Sequence, residues 1–504
     1  MFINYKPMTR TRFAPSPTGY LHVGNLRNAL FSYLIAKKNG GKFLLRIEDT
    51  DQQRFVPDSI VRMLKILYQA GIIPDEGVKL IQDDKANYSA TQEGPDGPYI
   101  QSERLDIYKK YISMLLDKKF VYYCFCTQDR LDKLRNSQQM NKLPTGYDKY
   151  CRKINPLDAE KRVVAGESYT IRLKMPETGE TVFHDIVRGN VSFKNELIDD
   201  QVLIKSDGFP TYHFAAVIDD HLMKISHIIR GEEWLSSTPK HLQLYKYFGW
   251  DPPSFAHPPL LLNPDRSKLS KRQGDVAVED YIKKGFLPEA IINFIAFLGW
   301  NPGGEREIFS LEELCHEFDL SKVNKSGAVF NLEKLNWYNQ QYIKKMSNYE
   351  LVESAKTWLA EDNLYTSANK AKLVKAVGLE KERITTLNEL PEAISFLFSL
   401  SEYSVDTLVW KKNTREETLK ILSETISVIT EIKQDVWDKT ILEQTIRTFI
   451  TNKGHDNGSV LWPLRVSLSG RQNSPGPFEI AEVLGREETL RRIKHAVGVL
   501  SERS

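Results

Sequence analysis

The sequence predicts an α/β protein whose N-terminal part holds a parallel sheet and whose C-terminal third is mostly helical. The first ~90 residues alternate strand, helix and strand patterns, which is the arrangement of a βαβ unit. From about residue 345 onward the apolar positions follow a helical period and few strand patterns remain. The chain has 504 residues. This exceeds the ~250–300 residues at which single cores stop growing, so we expect two to four domains.

The βαβ pattern begins with a strand over Thr11–Ala14, followed by a Pro/Gly turn over Pro15–Gly19. A helix is predicted over Asn25–Lys38, because apolar side chains recur there three and four residues apart. A Gly-Gly pair ends this helix, as glycine often does. A second strand follows over Lys42–Ile47. The order strand, helix, strand predicts that the two strands pair in parallel.

Strand patterns return in the middle of the chain. They cover Ser168–Met175, Val202–Ile218 and Leu222–Ile229. The C-terminal third instead carries apolar residues at helical spacing, for example Leu419, Leu422, Ile426 and Ile429. These positions favour the packed faces of a helical bundle over a cofactor site.

The composition excludes several classes of protein. Hydrophobic residues make up 41% and charged residues 27%, the balance of an ordinary globular chain. The longest apolar run, near Ala290–Trp300, is too short to span a bilayer, so we expect no membrane partner. The net charge of +3 neither indicates nor excludes a nucleic acid. The first residues show no secretion or transit signal, and four cysteines are too few for a disulfide framework, so we expect a cytoplasmic protein.

The segment Arg12–Asn25 predicts a phosphate-binding turn. It runs from a strand into a helix that starts near Gly24, and helix N-termini present unpaired N–H groups and partial positive charge. Gly24 would let a nucleotide approach the backbone closely, and His22 could donate to a phosphate oxygen. Taken alone, the segment is also compatible with an ordinary strand-to-helix turn capped by a histidine.

A second basic segment, Lys268–Arg272, lies between an Asn-Pro-Asp turn and a Gln-Gly pair, so we expect a loop. Two lysines three residues apart on such a loop can neutralise charge that develops on a transferring phosphate. Taken alone, a short basic run is more often a solvated loop.

Together the two segments resemble the paired signatures of class I aminoacyl-tRNA synthetases. Further stretches narrow the resemblance to the glutamyl-tRNA synthetase family of bacterial type, over essentially the whole chain. These stretches are Arg12–Gly19, Arg46–Asp51, Gly97–Arg104, Ser206–His213, Asp219–Met223, Arg230–Trp234 and Trp462–Arg465.

The resemblance implies a domain order. The implied parts are a Rossmann-type catalytic domain in two halves (1–91 and 211–250), an inserted acceptor-stem domain (92–210), a stem-contact region with the basic loop (251–345), and a helical anticodon-binding domain (346–504). It also implies a glutamate–tRNA ligase. Such an enzyme activates L-glutamate with ATP and Mg²⁺ to glutamyl-adenylate, then transfers it to the 3′-terminal adenosine of tRNA(Glu), releasing AMP and pyrophosphate. A monomer is the family expectation.

The resemblance also assigns glutamate-binding residues, namely Arg12, Ser16, Glu48, Tyr212 and Arg230. A ligand with two carboxylates needs at least one fixed guanidinium, because arginine binds a carboxylate bidentately. By the family pattern the two arginines bind carboxylates, the two hydroxyls add hydrogen bonds, and Glu48 faces the ammonium. Ala216 stands where some relatives carry asparagine, so one hydrogen bond of the pocket would be missing or replaced by water.

The ATP site implied by the resemblance comprises His22, Gly24, Asn25, Lys268, Ser270 and Lys271. Among these, His22 and Lys271 would be catalytic, because they would stabilise charge that is greater in the transition state. Arg383 aligns loosely with a family arginine that reads the last anticodon base, which favours strict use of tRNA(Glu).

The cysteines form an incomplete zinc-like pattern. Cys124, Cys126 and Cys151 have suggestive spacing, but a structural zinc site takes four Cys or His ligands. The position of a fourth ligand holds Lys153, whose protonated amine cannot coordinate. We therefore expect no zinc, and no metal site built from these three thiols.

Three alternatives to this family are weighed. A glutaminyl-tRNA synthetase would have a different turn after the first strand and a β-rich anticodon domain. A shorter relative that glutamylates a modified tRNA base would lack the long C-terminal region. A catalytically inactive tRNA-binding paralogue is disfavoured, because His22, Gly24, Lys271 and Arg230 are all present.

Overall fold

The computed structural model describes residues 8–269, 276–361, 363–366, 368–411 and 413–502. The described residues fall into two compact units. The N-terminal unit comprises residues up to 282 together with 288–334, and the C-terminal unit comprises 283–287 together with the residues from 335 onward. The predicted boundaries of the five sequence segments stay a prediction.

The described strands all lie in the N-terminal unit. In chain order they are β1 (Arg10–Phe13), β2 (Lys42–Leu45), β3 (Glu76–Gln82), β4 (Tyr88–Glu93), β5 (Val121–Cys124), β6 (Thr170–Leu173), β7 (Glu180–Asp185), β8 (Gly189–Lys194), β9 (Val202–Ile204), β10 (His227–Ile229), β11 (Ser254–Ala256), β12 (Leu261–Leu262) and β13 (Ala328–Val329).

An eight-stranded sheet organises this unit, in the order β4-β3-β2-β1-β10-β11-β7-β8. The six inner strands pair in parallel, and an antiparallel hairpin closes each edge. The chain moves from β1 to β2 on one side and returns through β10 on the other. Ligands of open α/β sheets bind at such a reversal, beyond the carboxyl ends of the strands.

The stretch predicted as an insertion contributes to two sheets. Its strands β5, β6 and β9 form a separate antiparallel sheet. Its hairpin β7–β8 instead extends the eight-stranded sheet through the pairing of β7 with β11. The middle of the chain is therefore built partly onto the main sheet.

The helices occur in both units. In chain order they are α1 (Val23–Lys38), α2 (Ser59–Gln69), α3 (Leu105–Asp117), α4 (Gln128–Met140), α5 (Pro156–Val164), α6 (Tyr212–Leu222), α7 (Thr238–Phe248), α8 (Val278–Lys283), α9 (Pro288–Ala296), α10 (Leu311–Glu317), α11 (Leu332–Lys345), α12 (Asn348–Ser354), α13 (Lys356–Leu359), α14 (Asn363–Thr366), α15 (Lys370–Glu380), α16 (Leu390–Ile394), α17 (Val405–Leu408), α18 (Arg415–Thr430), α19 (Lys439–Lys453), α20 (Asn457–Ser469), α21 (Pro477–Leu484) and α22 (Arg486–Ser501).

Helix α1 is central to the N-terminal unit. It packs against β1, α9 and α10, and its apolar residues, such as Leu30 and Leu34, are fully buried. Its last turn carries Lys37 and Lys38, which complement the negative C-terminal end of the helix dipole. The packing of α1 against β1, α9 and α10 holds the N-terminus of the helix beside the carboxyl end of β1.

The C-terminal unit is a helical bundle, as predicted. Helices α18, α20, α21 and α22 pack against one another. The predicted apolar stripe lies on α18, where Leu422 and Ile429 are buried while Leu419 and Ile426 are partly exposed. None of the described helices is long and apolar enough to cross a bilayer.

The predicted α/β class and the first βαβ unit are confirmed, since β1, α1 and β2 lie within a few residues of their predicted bounds and pair in parallel. The prediction of strand throughout Val202–Ile218 is wrong. Strand β9 ends at Ile204, and Tyr212 begins helix α6. Residues 214–218 are all buried, so this helix carries a continuous apolar run that periodicity cannot distinguish from a buried strand.

Candidate active site

A cavity of about 800 Å³ opens beyond the carboxyl ends of β1 and β10. Its lining includes all five residues predicted to bind glutamate: Arg12, Ser16, Glu48, Tyr212 and Arg230. Asn25 and Asn28 of α1 also line it. The volume lies within the range of small-molecule sites, and the position is the one that the sheet topology favours.

Arg230 follows β10 directly, and its side chain is held entirely by neutral groups. Its Nε donates to His257 Nε2 at 3.1 Å, Nη1 donates to Tyr212 Oη and to His241 Nδ1 at 3.1 Å each, and Nη2 donates to Thr238 Oγ1 at 3.0 Å. The residue is 6% exposed. In the part of the chain that the structure describes, no carboxylate forms an ion pair with this guanidinium.

A buried charge without a counter-charge is costly, and proteins normally pair it. The Arg230 guanidinium has five N–H groups, of which four are used by the contacts above. The fifth N–H, on Nη2, has no hydrogen-bond acceptor among the described residues. The guanidinium therefore brings one available donor and an uncompensated positive charge to the wall of the cavity. This arrangement favours an anionic ligand group.

Arg12 differs from Arg230 because it has an acidic partner. Its Nε and Nη2 reach the two carboxylate oxygens of Asp220 at 3.0 and 3.3 Å. Arg46 donates from Nη1 to the same carboxylate at 2.8 Å. Although burial alone would raise it, the charges of Arg12 and Arg46 hold the pKa of the Asp220 carboxyl below its usual value. One aspartate thus fixes two arginines beneath the cavity.

Glu48 joins the same network through one oxygen. Its Oε1 accepts from Arg46 Nη2 at 2.9 Å, and Oε2 accepts no hydrogen bond from the described residues. Burial raises the pKa of Glu48, although the charge of Arg46 acts in the opposite direction. A ligand ammonium beside Oε2 would favour the ionised carboxylate.

Tyr212 and Ser16 reach the cavity in different ways. Tyr212 begins α6, and its ring packs on Trp234 with centroids 4.4 Å apart while its hydroxyl accepts from Arg230. Ser16 lies in the loop after β1 and is exposed. The hydroxyl of Tyr212 keeps its own hydrogen available for donation.

His22 is the N-cap of α1. Its Nδ1 accepts from the Gly24 backbone N–H at 3.0 Å, so the neutral imidazole carries its hydrogen on Nε2. Asn25, in the first turn of α1, is exposed and lines the cavity. The first turn of this 16-residue helix therefore combines a side-chain donor with the N-terminal end of the helix dipole, which suits a phosphate group.

The basic loop is only partly within the described residues. Lys268 is exposed and forms an isolated bridge with Leu262 of β12. Ser270 and Lys271 lie outside the described residues. Lys268, His22 and Gly24 are not among the residues that line the cavity described above.

Comparison with known proteins identifies the family of the chain. A family model described as "tRNA synthetases class I (E and Q), catalytic domain" matches residues 8–337, and one described as "Anticodon binding domain" matches residues 350–497. A glutamate–tRNA ligase of Chloroherpeton thalassium is 47% identical over 97% of this chain and 98% of its own length. One of Finegoldia magna is 47% identical over 97% and 99%. The chain belongs to the glutamate–tRNA ligases.

A solved structure supports the same assignment. The crystal structure of a glutamate tRNA ligase from Elizabethkingia meningosepticum, in complex with its amino acid, is 39% identical and has a TM-score of 0.87, covering 98% of this chain and 100% of that one. The chain is thus a class I aminoacyl-tRNA synthetase, an ATP-using ligase that aminoacylates glutamate tRNA. The predicted family, fold class and activity are confirmed.

Several buried or half-buried groups of this ligase could not be identified from the sequence. Asp220 lies in the family stretch Asp219–Met223, but its sequence context indicates no role, and no motif points to the histidines around Arg230. These are His257, His241 and His213, whose Nδ1 lies 3.1 Å from His241 Nε2. The sequence feature that could have pointed to His257 is its position directly after strand β11. Burial, with the nearby charges of Lys240 and Arg230, lowers the pKa of His213 to about 3.

The three predicted cysteines of the ligase meet in space. Their Sγ atoms lie within 4.8 Å of one another, and the Tyr147 hydroxyl is 3.4 Å from Cys124 Sγ and 3.5 Å from Cys126 Sγ. Three thiols fit part of a tetrahedral zinc site, and a phenol is outside the common ligand set. A count of Cys and His residues in the sequence does not point to Tyr147. The expectation of no zinc stays a prediction.

Arg383 of the C-terminal unit follows α15. Its side chain is 44% exposed, and its Nε lies 3.4 Å from Glu380 Oε2. Glu380 itself is buried, so a buried carboxylate holds the Nε end of a guanidinium whose side chain is partly exposed. Its role with the anticodon stays a prediction.

Proposed function

We propose that the cavity binds L-glutamate with one carboxylate against Arg230. The observation that carries this assignment is the buried Arg230 guanidinium, which has four neutral hydrogen-bond partners and no ion pair among the described residues. A ligand carboxylate supplies the missing negative charge. Charge-assisted bonds of this kind are roughly twice as strong as neutral ones, so Arg230 favours a ligand carboxylate over an uncharged amide.

The rest of glutamate is held by groups on the same wall. Arg12 faces the second carboxylate, and Glu48 Oε2 accepts from the ammonium. Tyr212 and Ser16 add hydroxyl hydrogen bonds. Asp220 supports this arrangement indirectly, because it fixes the guanidinium of Arg12.

ATP binds at the N-terminus of α1, beside His22, Gly24 and Asn25. The α-carboxylate of glutamate attacks the α-phosphate in line, a C–O–P bond forms, and pyrophosphate leaves. His22 and Lys271, with Lys268 and Ser270 supporting the loop, stabilise the charge that develops on the phosphate. Mg²⁺ supplies charge neutralisation when it is bound with the ATP phosphates.

The terminal adenosine hydroxyl of tRNA(Glu) then attacks the activated carbonyl, the ester bond forms, and AMP leaves. No enzyme nucleophile takes part. The stretch 92–210 contacts the acceptor stem, and the C-terminal unit with Arg383 contacts the anticodon. We further propose a cytoplasmic monomer that charges tRNA(Glu) and not tRNA(Gln).

The test is aminoacylation with ¹⁴C-glutamate, using purified tRNA(Glu) and tRNA(Gln) separately. Charging of tRNA(Glu) alone supports the strict specificity, whereas charging of both overturns it. Arg230→Ala should raise the KM for glutamate by ~100-fold or more, since a buried charge pair is lost. Retained glutamate use in this variant would remove Arg230 from the pocket.

Zinc is tested on the same preparation. Metal analysis of protein purified without chelators should find no zinc. One zinc atom per chain, lost in a Cys151→Ser variant, would overturn this expectation.

A further inference from the structure

We propose that Asp185 and His257 are positioning residues for glutamate binding, because Asp185 holds His257 in the tautomer whose Nε2 accepts the Nε hydrogen of Arg230. This inference rests on the proposed role of Arg230 as a carboxylate ligand. It adds two residues that do not line the cavity and that therefore act through Arg230.

The contacts of Asp185 determine its orientation. It ends β7, and its Oδ1 accepts three backbone N–H groups, from Val187 at 3.0 Å, Arg188 at 2.9 Å and His257 at 3.3 Å. Its Oδ2 lies 2.6 Å from His257 Nδ1. The side chains of Asp185 and His257 are fully buried. Although burial alone would raise it, these hydrogen bonds keep the pKa of the Asp185 carboxyl below its usual value.

An ionised carboxylate can only accept hydrogen bonds. Nδ1 of His257 must therefore carry a hydrogen, which it donates to Asp185. Burial lowers the pKa of His257, although its bond to Asp185 opposes the shift. In the neutral ring Nε2 then has a lone pair, and this is the atom that lies 3.1 Å from Arg230 Nε. Thr238 Oγ1 lies 3.4 Å from His257 Nε2, and its hydroxyl can donate to the same lone pair.

A neutral imidazole suits this position better than a carboxylate would. It fixes the direction of the guanidinium without cancelling its charge, so the full charge of Arg230 remains for the ligand. His241 does the same on the other side, where its Nδ1 accepts from Arg230 Nη1 at 3.1 Å. The imidazole ring of His257 separates the negative charge of Asp185 from the guanidinium of Arg230. Preorganised groups of this kind need no rearrangement when the ligand binds.

Asp185→Asn tests the inference with little change of shape. The three backbone N–H groups require an acceptor, so the amide oxygen takes the place of Oδ1 and the NH₂ group turns toward His257 Nδ1. Nδ1 must then accept, Nε2 carries the hydrogen, and two N–H groups face each other at Arg230. We expect the KM for glutamate to rise about 10- to 100-fold, the range of one lost hydrogen bond to a charged group, with kcat and the KM for ATP nearly unchanged.

A second background separates the tautomer from a general loss of packing. Gln in place of His257 offers a carbonyl acceptor to Arg230 and has no tautomer to change. In a His257→Gln background, Asp185→Asn should therefore change the KM for glutamate less than twofold. Such a double-mutant cycle isolates the coupling between the two positions. As a matched control, Asp75→Asn alters an aspartate that also accepts a backbone N–H, from Phe43, and should leave the KM for glutamate unchanged.

The tautomer itself can be observed by ¹⁵N NMR of protein labelled at histidine. The signal of His257, assigned by its loss in His257→Gln, should show an unprotonated Nε2 in the unmodified chain and a protonated Nε2 in Asp185→Asn. Equal KM increases in both backgrounds, or an unchanged tautomer, would overturn the inference. Failure of Arg230 itself is distinguishable, because Arg230→Ala would then leave the KM for glutamate unchanged.

Discussion

Arg46 and Asp220 form an ion pair beneath the cavity at the carboxyl ends of β1 and β10, with Nη1 and Oδ1 2.8 Å apart and side chains that are 0% and 2% exposed. Asp220 also pairs with Arg12, which lines the cavity. The carboxylate is therefore the shared counter-charge of two buried guanidiniums. We expect its removal to affect both the stability of the N-terminal unit and the position of Arg12.

Asp220→Asn should lower the free energy of unfolding by about 3–5 kcal/mol, because removing one partner of a buried pair leaves charge uncompensated. Urea titration measures the change. Asp106→Asn is the matched control, since its ion pair with Lys109 is largely exposed and should change stability by less than about 1 kcal/mol. Equal effects in the two variants would show that the buried network does not stabilise the fold.

The half-buried, neutral His213 predicts a loss of stability in mild acid. An unfolded histidine binds a proton below about pH 6.5, whereas the folded His213, with its pKa near 3, stays neutral. The unfolded state therefore binds more protons below pH 6.5, and the free energy of unfolding falls with pH. Between pH 7.5 and 5.5, His213 should account for about 1.4 kcal/mol of that fall.

The matched pair for this measurement is His213→Gln and His184→Gln, because His184 is exposed. Unfolding by urea at the two pH values should show a smaller fall in the free energy of unfolding for His213→Gln, and an unchanged fall for His184→Gln. A loss that is unchanged by His213→Gln would mean that His213 titrates in the folded chain.

Lys271→Ala should lower kcat by about 10²- to 10³-fold, the usual effect of removing one group that stabilises developing charge, while the Kd for tRNA changes little. Steady-state aminoacylation and filter binding give the two quantities. Lys85→Ala, an exposed lysine of the β3–β4 turn, is the control. Equal losses of kcat and tRNA affinity would identify the loop as an RNA contact alone.

Arg383→Ala should lower kcat/KM for tRNA(Glu) about 10- to 100-fold, the effect of losing one contact to a base edge, with the KM for ATP unchanged. Arg447→Ala provides a matched exposed arginine that also pairs with an acidic residue, in this case Glu443 of its own helix. A similar change in both variants would point to non-specific attraction of RNA rather than a contact by Arg383 in particular.

Local sequence patterns were sufficient to predict the first βαβ unit and the helical bundle, because residues close together in sequence determine both structures. They failed at Tyr212–Leu222, where complete burial removes the periodicity of a helix. The residues assigned to glutamate share one cavity, but the groups that hold them did not show in any local pattern. Asp220 and Arg12 are 208 positions apart and Asp185 and His257 are 72 apart, so only the folded sheet brings them together.

The pairing of β1 with β10 has a consequence for redesign of the amino-acid selectivity. Thr11 lies opposite His227, so the strand register sets the offset between Arg12, on β1, and Arg230, just past β10. A one-residue slip would turn every side chain of the strand to the other face of the sheet. If Arg12 and Arg230 bind the two carboxylates as proposed, adapting the enzyme to a shorter or longer dicarboxylic amino acid calls for new side chains within the cavity, because the backbone sets the spacing of the two cations.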